Sequence, residues 1–257
     1  MSEGELLVAS EGAVLRLTIN RPEKRNALSR ALLAELRAAF EGHAEAEDLR
    51  LAVLSGSGTI CFAAGGDLRE LSALRTRDEA ARMAREAKAA LDAVRRFPLP
   101  VVAALNGDAL GGGAELALAC DFRVAAAGAR LGFLQGRLNI TTAWGGAVDL
   151  LRTVGRPKAL AMLCSAELVG GEKALEIGLF DRVAGDDETL HEAVDAFVAP
   201  MLGQAPQVLR AFKRLALEAF AGAPKAELDA LETRLFSAAW VHQDHWDAAA
   251  KILSRER

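Results

Sequence analysis

The first twenty residues carry two apolar runs, Leu6–Ser10 and Ala13–Asn20, on either side of the turn-forming pair Glu11-Gly12. In the second run Val14, Leu15, Leu17 and Ile19 alternate with polar partners, so the segment predicts a β-hairpin, which Arg21-Pro22 ends. The period then changes. Ser29 stands as a cap before Leu32, Leu33, Leu36 and Phe40, an apolar stripe at helical spacing that Gly42 stops. Beyond it, Leu51–Leu54, Val101–Leu105 and Phe122–Ala125 are short apolar runs of buried-strand length, separated by helical patterns of which Asp78–Phe97 is the longest. Strands and helices in alternation predict an α/β fold. From about Leu190 the strand signals cease while helical patterns continue, which divides the chain into a core over 1–190 and a helical section over 191–257 that packs on the core or on a neighbouring subunit. Internal repeats and low-complexity tracts are absent.

Composition narrows the classes of function. The chain has 257 residues, 51% hydrophobic and 26% charged, enough to bury a large core. Its net charge of -4 is interspersed, with no basic block to hold a polyanion, so nucleic acid is not an expected partner. The N-terminal MSEGELLVAS leads into no export signal, and no stretch of about 18 uncharged apolar residues occurs, so a cytoplasmic location without membrane spanning is expected. Cys61, Cys120 and Cys164 are odd in number and widely spaced, which predicts buried reduced thiols and neither a disulfide framework nor a zinc site. His242 and His245, three apart on a predicted helix, are read as surface histidines; no metal is expected.

Two loops carry the candidate chemistry. After the strand at Val101–Leu105 the chain reads NGDALGGGAELALACDF. Three consecutive glycines cost conformational entropy and are expected where backbone must approach something closely or adopt unusual dihedrals. A helix starting there presents free N–H groups to an anion or an oxyanion, although tight helix–strand packing would use the same glycines. A dinucleotide site fails on spacing: Gly111 and Gly113 form GxG, but Leu116 stands where the third glycine belongs. Glu115 interrupts the apolar run that follows, in a setting where desolvation raises a carboxyl pKa and suits it to proton transfer. A glutamate satisfied by the N–H groups of a helix start is the structural alternative. The second loop, TICFAAGGDLREL, brings small residues up to Asp67 at a helix-cap position. If both loops follow the same ends of neighbouring strands, their N–H groups converge on one oxygen, the arrangement of an oxyanion hole.

Taken together, INRPEKRNALS (Ile19–Ser29), FAAGGDL (Phe62–Leu68) and ALGGGAELALACDFRVA (Ala109–Ala125) resemble the crotonase, or enoyl-CoA hydratase/isomerase, superfamily in order and separation. The resemblance weakens after about Val183. It implies a spiral of ββα turns with a helical C-terminal section that assembles trimers or dimers of trimers. It also implies an acyl-CoA thioester substrate, with coenzyme A as part of the substrate and no separate cofactor. On this sequence the family's two oxyanion-hole N–H groups fall on Gly66 and Gly112, and its first catalytic glutamate on Glu115. Lys24, Arg25 and Ala27 fall on the adenine and phosphate edge of the coenzyme A site. Ala64, Asp67 and Leu68 fall beside the pantetheine and acyl tunnel. Trp144, a lone tryptophan beside two glycines, either borders the acyl end or packs in the core.

One position departs from the family. Its hydratases carry a second glutamate twenty residues after the first, whereas this chain has Gln135, which takes and gives no proton at neutral pH. Hydration normally draws on both carboxylates. Three readings follow: an acyl-CoA lyase or isomerase, in the manner of fatty acid metabolism, in which Glu115 alone moves protons; a decarboxylase of a malonyl-type acyl-CoA, which needs a single acid; and a non-catalytic acyl-CoA-binding paralogue. The segment Trp144-Gly145-Gly146 and the C-terminal LFSAAWVHQDHWDAAAK resemble the ethylmalonyl-CoA decarboxylase branch. A tyrosine-assisted decarboxylase is excluded, because the chain contains no tyrosine.

Overall fold

The computed structural model describes residues 4–255; the first three residues of the acidic N-terminal stretch lie outside that range. In chain order the strands are β1 (Leu6–Glu11), β2 (Val14–Ile19), β3 (Leu51–Gly56), β4 (Cys61–Ala63), β5 (Val101–Leu105), β6 (Asp108–Leu110), β7 (Phe122–Ala125), β8 (Arg130–Gly132), β9 (Val169–Gly170) and β10 (Arg182–Val183). The α-helices of the core are α1 (Arg30–Gly42), α2 (Leu68–Leu71), α3 (Arg77–Arg95), α4 (Gly112–Ala119), α5 (Gly146–Val154), α6 (Arg156–Ser165) and α7 (Gly171–Glu176). Four more follow: α8 (Leu190–Leu202), α9 (Pro206–Ala221), α10 (Lys225–Trp240) and α11 (Gln243–Arg255).

The hairpin is present, with Glu11 paired to Val14 across a turn in which Gly12 has φ 59°. From β2 onward the large sheet is parallel, in the order β1-β2-β3-β5-β7-β10. Its inner strands are buried on both faces. Leu15, Leu17, Ala52, Leu54, Val101, Ala103 and Leu105 join α1, α3 and α4 in the main core, while Val14, Leu51, Val53, Val102, Ala104 and Val124 meet Ala193, Val194 and Val198 of α8. Burial on both faces is why β3 and β5 read as uninterrupted apolar runs.

A second sheet, in the order β4-β6-β8-β9, stands beside the first. Each of β3, β5 and β7 passes directly into a short strand of this second sheet, and helical chain leads back, which is the ββα spiral. The helix starts follow local chemistry. Ser29 caps α1 by accepting from Leu32 N–H at 3.1 Å, and Thr76 with Glu79 forms a capping box on α3. Along α3 the buried positions Ala87, Ala90, Leu91 and Val94 form a single stripe.

The C-terminal helices begin on the core through α8, and α9 is tied to it where Arg210 donates to Ala44 O at 2.8 Å and Ala46 O at 2.7 Å. No helix among the described residues is long and apolar enough to cross a membrane. Two expectations are corrected. Cys61 and Cys120 are buried, but Cys164 is exposed, because α6 turns Ala159 and Met162 inward and Cys164 outward. His242 lies in the turn between α10 and α11 and not on a helix with His245, since α10 ends at Trp240.

Candidate functional site

The two glycine-containing loops meet. A Cβ on Gly113 would stand 2.0 Å from Ala63 O, so only glycine allows α4 to lie this close to β4. That contact sets the loop after β4 against the loop before α4, and a Cβ on Gly65 would be 3.1 Å from Leu110 O and 3.2 Å from Gly112 N. Leu28 N–H donates to Gly65 O at 2.7 Å, and Asp67 N–H donates to Leu28 O at 3.0 Å. In that parallel bridge the N–H of the intervening Gly66 is turned to the opposite side. Gly112 is the first residue of α4, where a backbone N–H has no intrahelical acceptor. The donor pair expected from the sequence therefore comes from adjoining loops.

Glu115 lies one turn into α4 and is only 2% exposed. Its Oε2 accepts from Trp144 N–H and Gly146 N–H, each at 2.9 Å, and its Oε1 accepts from Gln135 Nε2 at 3.0 Å. Burial pushes its carboxyl above the usual range, against the pull of the N–H groups of Gly146, Trp144 and Ala143 and of the Gln135 amide. The environment thus favours the protonated form while retaining donors for the anion, which suits a group that gives and takes a proton. Gly146 is required at this point, because a Cβ there would fall 2.4 Å from Glu115 Cγ.

Gln135 sits in a short 3-10 turn, Leu134–Leu138, after β8, and is buried. Its Oε1 has no hydrogen-bond partner among the described residues. The Trp144 indole lies against both donor glycines: a Cβ on Gly112 would meet Cζ3 at 2.2 Å, and one on Gly66 would meet Cη2 at 3.5 Å. On the far side Trp144 borders a cavity of about 400 Å³ between α1 and α3, walled by Leu28, Leu33, Met83, Ala87 and Ala90. The indole therefore touches both the glycines that carry the backbone donors and an apolar compartment.

The remaining candidates are arranged around this centre. Lys24 and Arg25 are exposed, in a segment stapled to the rest by Asn26, whose Nδ2 donates to Ser57 O at 3.0 Å and Cys61 O at 2.7 Å. Arg25 also lines a polar cleft of about 430 Å³ with Asn106, Asp108 and Arg130. Ala27 and Ala64 are half-buried, and Ala64 N–H donates to Arg25 O at 3.1 Å. Leu68 is exposed at the start of α2. Asp67 caps α2 and its Oδ2 takes a hydrogen bond from Arg21 at 2.9 Å, which holds its carboxyl below the usual range. Its carboxylate is engaged within the protein. Among the described residues no cluster of His, Cys, Asp and Glu has the makings of a metal site.

Sequence reading overlooked one pair that bears on the centre, Arg95 and Asp149. The available signal was periodicity: Gly146, Asp149, Leu150 and Val154 fall on the buried face of α5, so a carboxylate there needs a partner.

Comparison with known proteins shows the family and the fold. A family model described as enoyl-CoA hydratase/isomerase matches residues 9–251. The chain is 35% identical to a 2,3-dehydroadipyl-CoA hydratase of Escherichia coli (strain K12), over 98% of this chain and 96% of that protein. It is 32% identical to an ethylmalonyl-CoA decarboxylase of Xenopus laevis, over 95% of this chain and 82% of that protein. The crystal structure of an enoyl-CoA hydratase from Bacillus anthracis superposes with a TM-score of 0.91 at 27% identity, covering 98% of this chain and 97% of that one.

Proposed function

The chain belongs to the enoyl-CoA hydratase/isomerase family, and we propose that within it this protein is an acyl-CoA lyase or isomerase that runs enolate chemistry with one carboxylate. The observation that carries the proposal is the position of Glu115. It is buried beside two loops that supply backbone donors, and its partner at Oε1 is an amide and not a second acid. In this reading Gly66 N–H and Gly112 N–H hold the thioester oxygen as negative charge develops on it, a contribution whose loss typically costs about 10²–10³ in rate per donor. Glu115 removes or returns a proton at carbon, worth roughly 10²–10⁴. The Gln135 Oε1 accepts from a water or a substrate donor but takes no proton. Lys24 and Arg25 serve the phosphates of coenzyme A, the compartment behind Trp144 receives the acyl chain, and the protein works in the cytoplasm as a trimer or dimer of trimers.

A second reading is favoured by the amide at Gln135 and by the similarity to the Xenopus laevis ethylmalonyl-CoA decarboxylase. When a malonyl-type thioester loses carbon dioxide, the breaking C–C bond delivers its electron pair to the thioester carbonyl, and no base is needed. One acid then protonates carbon, and burial keeps Glu115 inclined to the protonated form. Mass spectrometry of the purified protein with crotonyl-CoA and with methylmalonyl- and ethylmalonyl-CoA separates the readings. Water gain on crotonyl-CoA, lost in Glu115→Gln, supports the lyase; Glu115-dependent loss of carbon dioxide establishes the decarboxylase; silence on all three overturns both for these acyl groups.

A further inference from the structure

Arg95 is the last residue of α3, and its side chain is mostly buried against the segment that holds Glu115. Its Nη2 donates to Trp144 O at 2.9 Å and to Asp149 Oδ2 at 2.7 Å; Nε donates to the same Asp149 oxygen at 2.9 Å, and Nη1 to Asp92 Oδ1 at 2.8 Å. Asp149 N–H in turn donates to Gly145 O at 3.2 Å. Trp144 is therefore gripped at both ends of its backbone, with its N–H on Glu115 Oε2 and its C=O on Arg95. Between them Gly145 has φ 99°, a conformation that side-chain-bearing residues rarely adopt, and a Cβ there would press on Arg95 Nη2 at 2.7 Å.

We propose that Arg95, with Asp149 as its counter-ion, is a positioning residue for catalysis: by anchoring the Trp144 carbonyl it keeps the N–H groups of Trp144 and Gly146 on Glu115 Oε2. Neither side chain touches the reacting atoms. Their action passes through the peptide geometry of Trp144–Gly146, and it rests on the proposal that Glu115 is the proton-transfer group.

The consequence has a definite sign. If the anchor is lost, the anionic form of Glu115 loses donors, so Glu115 holds its proton to higher pH. Whichever chemistry operates, the limb of the pH–rate profile that reports Glu115 moves upward. The charged groups acting on Asp149 include Asp92 on α3 and Arg152 on α5, and those acting on Cys120 at the end of α4 include Asp121, Arg123 and, from α9, Lys213. Lys213 pairs with Asp121, and Arg123 with Asp181.

Positioning and simple field effects predict different signs at Asp149. Replacing Arg95 by Met removes a positive charge and the anchor, so both accounts raise the Glu115 midpoint. Asp149→Asn removes a negative charge, which by field alone lowers the midpoint; by positioning it raises it, because Arg95 loses the carboxylate that orients its fork. The experiment is a ¹³C NMR titration of protein labelled at glutamate carboxyl carbons, with Glu115→Gln identifying the Glu115 signal. This readout needs no turnover, so a failure of the proposed reaction leaves it intact. Arg95→Met and Asp149→Asn are expected to raise the midpoint by about one pH unit, the scale of a weakened hydrogen bond to a charged group, and Arg95→Lys by less. The apolar double variant Arg95→Met/Asp149→Leu avoids an unpaired buried charge and is expected to keep the upward shift while folded. A midpoint that falls in Asp149→Asn, or that matches wild type in the double variant, overturns the proposal. Where turnover is measurable, the same variants are expected to lose kcat with little change in KM.

Discussion

Gln135 Nε2 and Glu115 Oε1 share a hydrogen bond of 3.0 Å, and the other end of the same amide, Gln135 Oε1, is buried with no partner among the described residues. A carboxylate and a carboxamide are thus in direct contact where hydratases of the family carry two carboxylates. The unpartnered oxygen makes the pair adaptable. If Glu115 presents an O–H at Oε1, rotation of the amide lets Gln135 Oε1 accept a hydrogen bond from it.

That adaptability leads to a prediction for Glu115→Gln. The new amide oxygen accepts from Trp144 and Gly146 N–H, while its NH₂ donates to the rotated Gln135 Oε1, so the contact survives and the unpartnered end of the Gln135 amide becomes its NH₂ in place of Oε1. The variant is expected to fold, to bind acyl-CoA as wild type does, and to lose turnover by roughly 10²–10⁴ or more. Its stability has a pH signature. Burial raises the Glu115 carboxyl above the ordinary glutamate range. A raised folded-state pKa stabilises the native state at low pH, and that contribution is lost as pH rises through the folded value. Wild type should therefore lose stability relative to Glu115→Gln as pH increases above the ordinary glutamate range. Paired thermal melts at several pH values check this; a gap independent of pH would count against a buried carboxyl that ionises in this way.

Gln135→Glu places a second carboxyl within hydrogen-bond distance of the first. Like charges this close do not both ionise readily, so the pair is expected to share a proton and titrate in two coupled steps. One member then activates water while the other protonates carbon. Hydration of crotonyl-CoA should rise, by up to about 10²–10⁴ if the missing acid is what limits it. Steady-state hydration assays across pH test this. No gain would assign the limit to the shape of the pocket around Trp144.

How much of this was legible in the sequence depended on how each residue announces itself. The glycines at 111–113 and Glu115 inside an apolar run are exceptions to pattern, and both proved to lie at the centre. The inner strands β3 and β5 of the large sheet were legible because burial on both faces makes them uniformly apolar, as at Val101–Leu105, whereas the two-residue β10 was not. The second sheet was not, because β4, β6, β8 and β9 have only two or three residues each and carry no period. Arg95 and Asp149 were missed for a different reason. A charged residue in an amphipathic helix reads as part of the solvated face, and the partnership forms only when α3 and α5 pack on either side of α4.

Trp144 sets a boundary that predicts acyl specificity. Its indole covers Gly66 and Gly112 on one side and walls the α1–α3 compartment on the other. Trp144→Ala joins the two spaces. Relative kcat/KM for an eight-carbon over a four-carbon acyl-CoA is expected to rise, since each added methylene that finds apolar surface contributes about 0.8 kcal/mol. Removing a buried tryptophan also costs about 3–5 kcal/mol of stability, so the assay belongs at a temperature where circular dichroism shows the variant folded. An unchanged chain-length profile in folded protein would place the acyl chain elsewhere.

The C-terminal helices present a final, independent test. Phe236, Trp240 and Trp246 are each about half exposed, yet their rings cluster, with centroids 5.4 Å apart for Phe236–Trp240 and 5.7 Å for Trp240–Trp246. A contiguous aromatic patch on α10 and α11 is costly in water and is the kind of surface that association covers. Packing within the chain does not account for it, since Leu231 is the only buried residue of α10. We therefore expect the protein to associate in solution, at three or six times its 27.2 kDa chain mass for the trimer or dimer of trimers that the family resemblance implies, and expect Phe236→Glu/Trp240→Glu to shift it to the monomer. Because these side chains are already exposed, the core should survive the substitution. Light scattering after size exclusion reads the mass, and circular dichroism reads the fold. A wild-type monomer would remove the association proposal, whereas a dissociated variant that stays folded but loses acyl-CoA turnover would mean that the site requires a neighbouring subunit to be complete.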